Sequence, residues 1–320
     1  MPRHPADPVR RRLLLRSAAA LAPLPLLGTL GGCASAPLSP IEASERTDPA
    51  ALAVLQECAA AHGLSAWRKV KDLNVGYRVE WRTLVGRIHP ELSDIRFRDT
   101  AQERLLPAEG LMAQTLIGAG GHKQVVRRLG QGTGSSTAQG DVQIWYDGRS
   151  TRDQPLLQAA AMVADASRLA LLGPLALIDR PGVLKLAGLE QVGDHGCERL
   201  MVRLTPGLGL SAVEQLVLCI DRRTRLMRRV RFSHAGMAST RGTVTEVDVS
   251  EFQNIQGVEW PTRFHERMRK PIPLLPLRDW QLTGLDLNRG WSAADITGAQ
   301  FAGVAQAGAK ALPGSPVVPR

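Results

Sequence analysis

The chain is 320 residues long, 44% hydrophobic and 22% charged, with a formal net charge of +10. A chain of this length buries a core without disulfide staples and is too apolar for a disordered one, so both of those classes are excluded. The first 32 residues contribute +4 of the charge and leave +6 for the rest, a mildly basic balance that argues against a nucleic-acid partner.

Arg10, Arg11, Arg12 and Arg16 open an apolar run at 13–30 that ends on Gly31-Gly32-Cys33. Charged, then apolar, then small is the layout of an export signal. Arg16, Pro23 and Pro25 interrupt the run. That disfavours an uncleaved membrane span, which needs about 20 apolar residues and loses about 2.5–3.5 kcal/mol for a charge at mid-bilayer. Ala34-Ser35-Ala36 would serve ordinary secretion, but Pro37 would then begin the mature chain. Arg11-Arg12 followed by leucines also looks like a twin-arginine signal, without its usual Ser/Thr before and Lys after. Leu30-Gly31-Gly32-Cys33 resembles the lipobox of bacterial lipoproteins. The resemblance implies a leader at 1–32 and an acylated Cys33 as first mature residue, anchoring the protein to a membrane of the cell envelope, on the periplasmic side of the outer membrane.

Residues 33–47 read as a lipidated cysteine and flexible tether. Thr47 or Asp48 as N-cap with Pro49 at N1 starts a helix that runs to about His62, where Gly63 stops it. Leu73, Val75, Tyr77, Val79 and Trp81 then alternate with Asn74, Gly76, Arg78, Glu80 and Arg82, which predicts a strand with one buried face. Weaker strand signals follow at 94–106, 111–117, 123–129 and 141–147. The glycine-rich stretch at 130–136 lacks a following helix and a Gly-Lys-Ser/Thr ending, so it reads as a hairpin loop and not a phosphate site.

The spacing predicts a second helix over 154–172, apolar on nearly all sides, with Asp165 and Arg168 paired at i, i+3. Gly173-Pro174 stops it. An all-round apolar helix carrying two charges is expected to pack across the concave side of a sheet. Strands are expected at 183–191, 197–204, 213–220, 225–232, 240–252, 257–268 and 278–287, joined by short turns and therefore antiparallel. Leu216 to Ile220 is apolar without alternation, which fits a strand covered on both faces. Residues 48–290 thus form the folded domain, and 291–320 read as a mobile tail.

The segments "AHGLSAWRKVKDLNV" at 61–75, "VQIWYDGR" at 142–149, "LCIDRRTRLMRRVRF" at 218–232 and "GVEWPTRF" at 257–264 are similar to recurring pieces of the LolA/LolB-like group of envelope lipoprotein carriers. Together they span about 50–287. The resemblance implies an α+β, mainly β fold: an open antiparallel half-barrel with helices on or across its concave side, sheltering acyl chains. The helix at 154–172 would then be a lid. No single binding residue transfers from the group; the apolar pattern itself offers Leu156, Leu157, Met162, Val163, Leu169, Leu172, Leu216 and Leu218 as residues of the cavity or the lid. LolA itself is soluble, so a lipid anchor suits a membrane-bound acceptor or another lipid binder.

No GxSxG, HExxH, CxxC or paired-cysteine metal motif occurs, and no cofactor is expected. Cys197 and Cys219 fall near each other if their strands pair, as a cross-strand disulfide or as two buried thiols. His195, Cys197 and Glu198 lie close in sequence, too few to favour a metal site. Alternation puts Arg225, Arg229 and Arg231 on one face, where they contact anionic headgroups or form a solvated sheet face. The stiff apolar loop at 271–277, with Leu274 and Leu275, either presents a sticky tip to a bilayer or partner or folds under the barrel mouth. The expected function is binding of a lipid, acyl chain or other long apolar ligand without bond-breaking. The alternative is an envelope assembly factor that grips a protein partner through a sheet edge or the 271–277 loop.

Overall fold

The computed structural model describes residues 38–301 apart from 39, 83, 89, 131–138, 181, 236 and 241. The leader, Cys33, most of the loop at 130–136 and the tail from 302 onward lie outside the described residues.

Thirteen strands form one antiparallel sheet. The first six are β1 (Leu73–Trp81), β2 (Thr100–Leu106), β3 (Leu111–Gly118), β4 (Gly121–Arg128), β5 (Asp141–Tyr146) and β6 (Arg149–Ser150). The other seven are β7 (Gly182–Val192), β8 (His195–Leu204), β9 (Glu214–Asp221), β10 (Met227–Ser233), β11 (Val244–Ile255), β12 (Val258–Lys270) and β13 (Leu275–Leu287). Among the described residues six α-helices accompany them: α1 (Pro49–Ala61), α2 (Leu64–Trp67), α3 (Val85–Ile88), α4 (Pro90–Ser93), α5 (Gln154–Leu172) and α6 (Ala293–Ile296).

Each strand pairs with its sequence neighbours except across β6 and β7, and one further pairing links the ends of the series. The first strand, β1, pairs with the last, β13, from Leu73↔Leu287 to Trp81↔Arg278. The free edges are then β6 and β7, which do not pair with each other. The sheet is an open half-barrel, and α5 is the long element that runs between its two edges. Alternation along the strands sends Leu73, Val75 and Tyr77 of β1, Leu216 and Leu218 of β9 and Val230 and Phe232 of β10 into one core with α5.

Local chemistry explains the helix bounds. Asp48 Oδ1 accepts from Ala50 N at 2.9 Å and Pro49 follows at the first helical position, which starts α1. Asp153 does the same for α5, its Oδ1 accepting from Leu156 N at 3.1 Å. Gly63 has φ +87°, and an added Cβ would lie 2.1 Å from the Gly257 carbonyl oxygen, so only glycine fits where α1 turns toward α2.

Two expectations need correction. The strand read at 94–106 begins only at Thr100, because Asp94 adopts φ 41° and Ile95–Phe97 form a 3-10 turn. The tail does not start at 291: Asp72 accepts from the backbone N–H groups of Arg289 and Gly290 at 2.8 Å each. That clamp delivers Ser292 as the cap of α6 and buries Ile296 against Leu106, Leu111, Ala113 and Val126 on the convex face.

Candidate functional site: the concave face beneath the lid helix

The concave face is lined by alternate, mostly apolar residues of β1–β5 and β7–β13. Leu169 and Leu172 of α5 are fully buried against it, as are Met162, Leu216 and Leu218. Leu156 and Leu157 are half-buried at the helix N-terminus. Helix α5 is long and apolar enough to cross a membrane, but here most of it is buried inside the protein. Seven of the eight residues expected to line a cavity are thus brought together in one core, with Val163 half-buried beside the small cavity, and the sizeable hollow expected among them is filled by the helix itself. Helix and sheet leave a cavity of about 50 Å³, beside Met162, Val163 and Ala166. Pockets that enclose drug-sized ligands measure about 300–1,000 Å³.

A polar latch holds the helix down. Arg127 of β4 projects inward, since its register partner on β3 is the core residue Met112. Its Nη2 donates to Asp165 Oδ2 at 3.0 Å and to the Gly209 carbonyl at 2.6 Å. Asp165 Oδ2 also accepts from Gly209 N at 2.8 Å. Both side chains of the ion pair are at most 3% exposed. The latch therefore ties sheet, lid and the β8–β9 loop at one point. This corrects the expected i, i+3 pairing of Asp165 with Arg168: the carboxylate faces the sheet.

The small cavity lies beside the latch, since Val163 and Ala166 flank Asp165 in the chain, and it has a polar rim on an apolar floor. Phe232, Met268, Leu277 and Trp81 supply the floor. Arg278 donates through Nε to Glu266, and its guanidinium lies 5.1 Å from the Trp81 ring centroid and 4.1 Å from that of Trp280. Arg98 lies 4.5 Å from the Trp81 centroid, and its Nη1 donates to the carbonyls of Leu92 at 2.7 Å and Ser93 at 3.1 Å. Burial, aided by the neighbouring Arg278 charge, lowers the Arg98 pKa to about 9. Close by, Glu103 accepts from Gln114 at 2.5 Å, and burial pushes its pKa up to about 7. Lys123 pairs with Asp94, whose Oδ2 also accepts from the Tyr146 hydroxyl at 3.0 Å.

The three arginines singled out in the sequence do not face this cavity. Arg229 and Arg231 lie on the convex side, where Arg229 Nη1 donates to Glu190 at 2.7 Å and Arg231 Nε to Glu246 at 2.7 Å. Asp248 and Arg267 extend the same network. Their guanidinium groups are engaged by carboxylates from strands on both sides rather than held ready for headgroups. Arg225 sits in the β9–β10 turn with φ 58° and pairs with Glu198 at 2.6 Å and Glu57 at 2.8 Å.

Cys197 and Cys219 are free thiols, buried on the convex side with Val192 and Val217. The register sets Cys197 opposite Asp221 and Cys219 opposite Arg199. The two cysteines are diagonal neighbours, and that spacing exceeds the roughly 3.5–4.5 Å between Cβ atoms that a disulfide needs. His195 Nδ1 hydrogen-bonds Asp221 Oδ2 at 2.8 Å on the surface. Among the described residues, no group of three His, Cys, Asp or Glu side chains is placed to hold a metal ion. At the β12–β13 hairpin, Leu274 is 58% exposed and Ile272 43%. Leu275, read as part of that tip, packs instead on Met268 and Leu277.

No protein-family model matches the sequence, and no curated protein matches it. Solved structures align with it over most of their length. A DUF1329 family protein from Desulfovibrio piger aligns with a TM-score of 0.49 at 12% identity, over 79% of this chain and 98% of that one. A domain assigned to outer-membrane lipoprotein sorting, from Vibrio parahaemolyticus, aligns at 0.47 and 10% identity, over 77% and 95% of the two chains. A LolA superfamily protein from Nitrosomonas europaea aligns at 0.39 and 14%, over 77% and 97%. The likeness is one of fold.

Arg98, Arg127, Glu103, Glu266 and Arg278 escaped the sequence reading. A signal was present for Arg127 and Glu103, because each stands in an alternating series whose other members are apolar: Val125 before Arg127, Ala101 and Leu105 around Glu103. A charge on the core-facing register is the mark of a buried partner.

Proposed function

We propose that this protein binds a lipid or another long apolar ligand between α5 and the concave sheet face, in the cell envelope, on a tether acylated at Cys33. The observation that carries this reading is α5: an apolar helix of 19 residues that joins the two free edges of the sheet and closes the half-barrel without pairing into it. Apolar burial contributes about 25 cal/mol per Å², and an acyl chain taking the helix's place keeps the sheet face covered. Opening therefore exchanges one apolar contact for another, and the Arg127–Asp165 latch is what must be released. No bond is broken in this mechanism, and no cofactor takes part.

The test is native mass spectrometry of the purified protein offered a diacyl phospholipid or a triacylated peptide, with hydrogen exchange read across 154–172. Adducts together with faster exchange in α5 support the reading. The protein staying free of both probes, with α5 exchange unchanged, overturns it.

One observation favours a second reading. Ile272 and Leu274 project from the β12–β13 hairpin into solvent, as an assembly factor gripping an envelope protein partner would present them.

A further inference from the structure

The cavity left beside α5 is small, but its charges do not cancel. Its lining contains two guanidinium groups, Arg98 and Arg278, against one carboxylate, Glu266. Glu266 is taken by Arg278 through the Nε bond. Among the described residues no carboxylate lies within ion-pair distance of Arg98, whose bonds go to two backbone carbonyls from its Nη1 alone. Asp94 and Glu103 are near enough to feel its charge. However, Asp94 is held by Lys123 and Tyr146, and Glu103, one oxygen bonded by Gln114 and the other unpartnered, lies beyond ion-pair distance of Arg98. Arg98 is only 4% exposed. A buried cation whose donors are not matched by an anion is costly, and chains keep such groups where an anion arrives from elsewhere.

The rest of the cavity gives the shape of that anion's carrier. Met162, Val163 and Ala166 of α5 form one wall, so moving the helix extends the cavity along the apolar sheet face. Trp81 beneath both guanidiniums holds their planes, which keeps Arg98 from following its charge into solvent.

Building on the proposed lipid-binding reading, we infer that the ligand is a single-headed anionic amphiphile whose carboxylate or phosphate docks on Arg98 while its chain lies under α5. The fork of a guanidinium suits both headgroups, and a hydrogen bond to a charged group is the stronger kind. The cavity thus sets polarity as well as affinity: headgroup at Arg98, chain along the wall of Met162, Val163 and Ala166.

The experiment compares oleate, oleyl phosphate and oleyl alcohol, which share one chain, by calorimetric titration into the purified protein and its Arg98→Gln and Arg98→Lys variants. The expected result is binding of at least one anionic probe about tenfold or more tighter than oleyl alcohol. Whichever anion shows the preference, oleate or oleyl phosphate, identifies the headgroup. Arg98→Gln should abolish the preference and leave oleyl alcohol within about twofold of the parent, while Arg98→Lys keeps part of it. Should Arg98→Gln fail to fold, the parent's three-probe comparison still decides. Equal affinity of all three probes for the parent overturns the inference and leaves lipid binding standing, as does a preference that survives Arg98→Gln. No binding of any probe also overturns the inference, and the phospholipid and triacylated-peptide test then decides lipid binding separately.

Discussion

Glu214 shows how one buried side chain sets a pH response. It opens β9 on the concave side, and its Oε1 accepts from Gln215 N at 3.0 Å, from Ser233 N at 3.2 Å and from the Ser233 hydroxyl. Its Oε2 is buried with no hydrogen-bond partner. Burial pushes the pKa up from 4.5 to about 7 against the pull of those donors. A carboxyl whose folded pKa is raised contributes stability that is present below pH 4.5 and lost as pH rises through about 7. Glu214→Gln removes that titration, so between those two values the variant gains about 3 kcal/mol relative to the parent. Urea unfolding of both proteins at pH 5 and pH 8 checks this, and parallel shifts refute it. Comparing variant with parent cancels the other shifted groups, Glu103 in the same direction and His62, lowered by burial to about 4, in the opposite one. None of this could be read from the sequence. Glu214 follows Ala212-Val213, and only the fold places Ser233 beside it.

At the scale of the element, α5 was largely legible. Its bounds at 154–172, its cap and its burial on most sides follow from Asp153, Pro155, the apolar run and Gly173. The long strands were legible too, because period-two alternation and turn residues such as Asp147-Gly148 and Gln256-Gly257, all at positive φ, mark them locally. The latch was not legible, since Arg127 and Asp165 are 38 residues apart and meet only when β4 and α5 pack. Asp165→Ala leaves the Arg127 charge buried and unpaired, and should cost about 3–5 kcal/mol in a denaturant titration. The Arg127→Met, Asp165→Leu double change removes both charges and should recover most of that loss, which a double-mutant cycle measures. A cost for Asp165→Ala under about 1 kcal/mol would mean that the pair does not hold the helix.

For the whole molecule, the open half-barrel followed from many short connections, while the occupancy of its inside did not. Apolar patterning says that the concave face is covered, and not whether a ligand or the chain's own helix covers it. The convex arginines show the same limit. Alternation put Arg229 and Arg231 on one face, but Glu190, Glu246 and Asp248 come from β7 and β11 and are invisible locally. Met268 and Leu277 line the cavity and flank the hairpin that carries Ile272 and Leu274, so the exposed tip and the cavity share one end of the sheet. Leu274→Asp should leave thermal stability within about 0.5 kcal/mol, since the side chain is exposed, and should weaken capture of an envelope partner in a pull-down. Lost capture with retained lipid favours the assembly reading, and unchanged capture removes it.

Fastening α5 at both sheet edges has a kinetic and an energetic consequence. The helix can never diffuse away, so re-closure is first-order and proceeds at the same rate in dilute or crowded surroundings. Any guest on the concave face competes with this resident strap, and its measured affinity is its intrinsic one diminished by the fraction of time the strap is down.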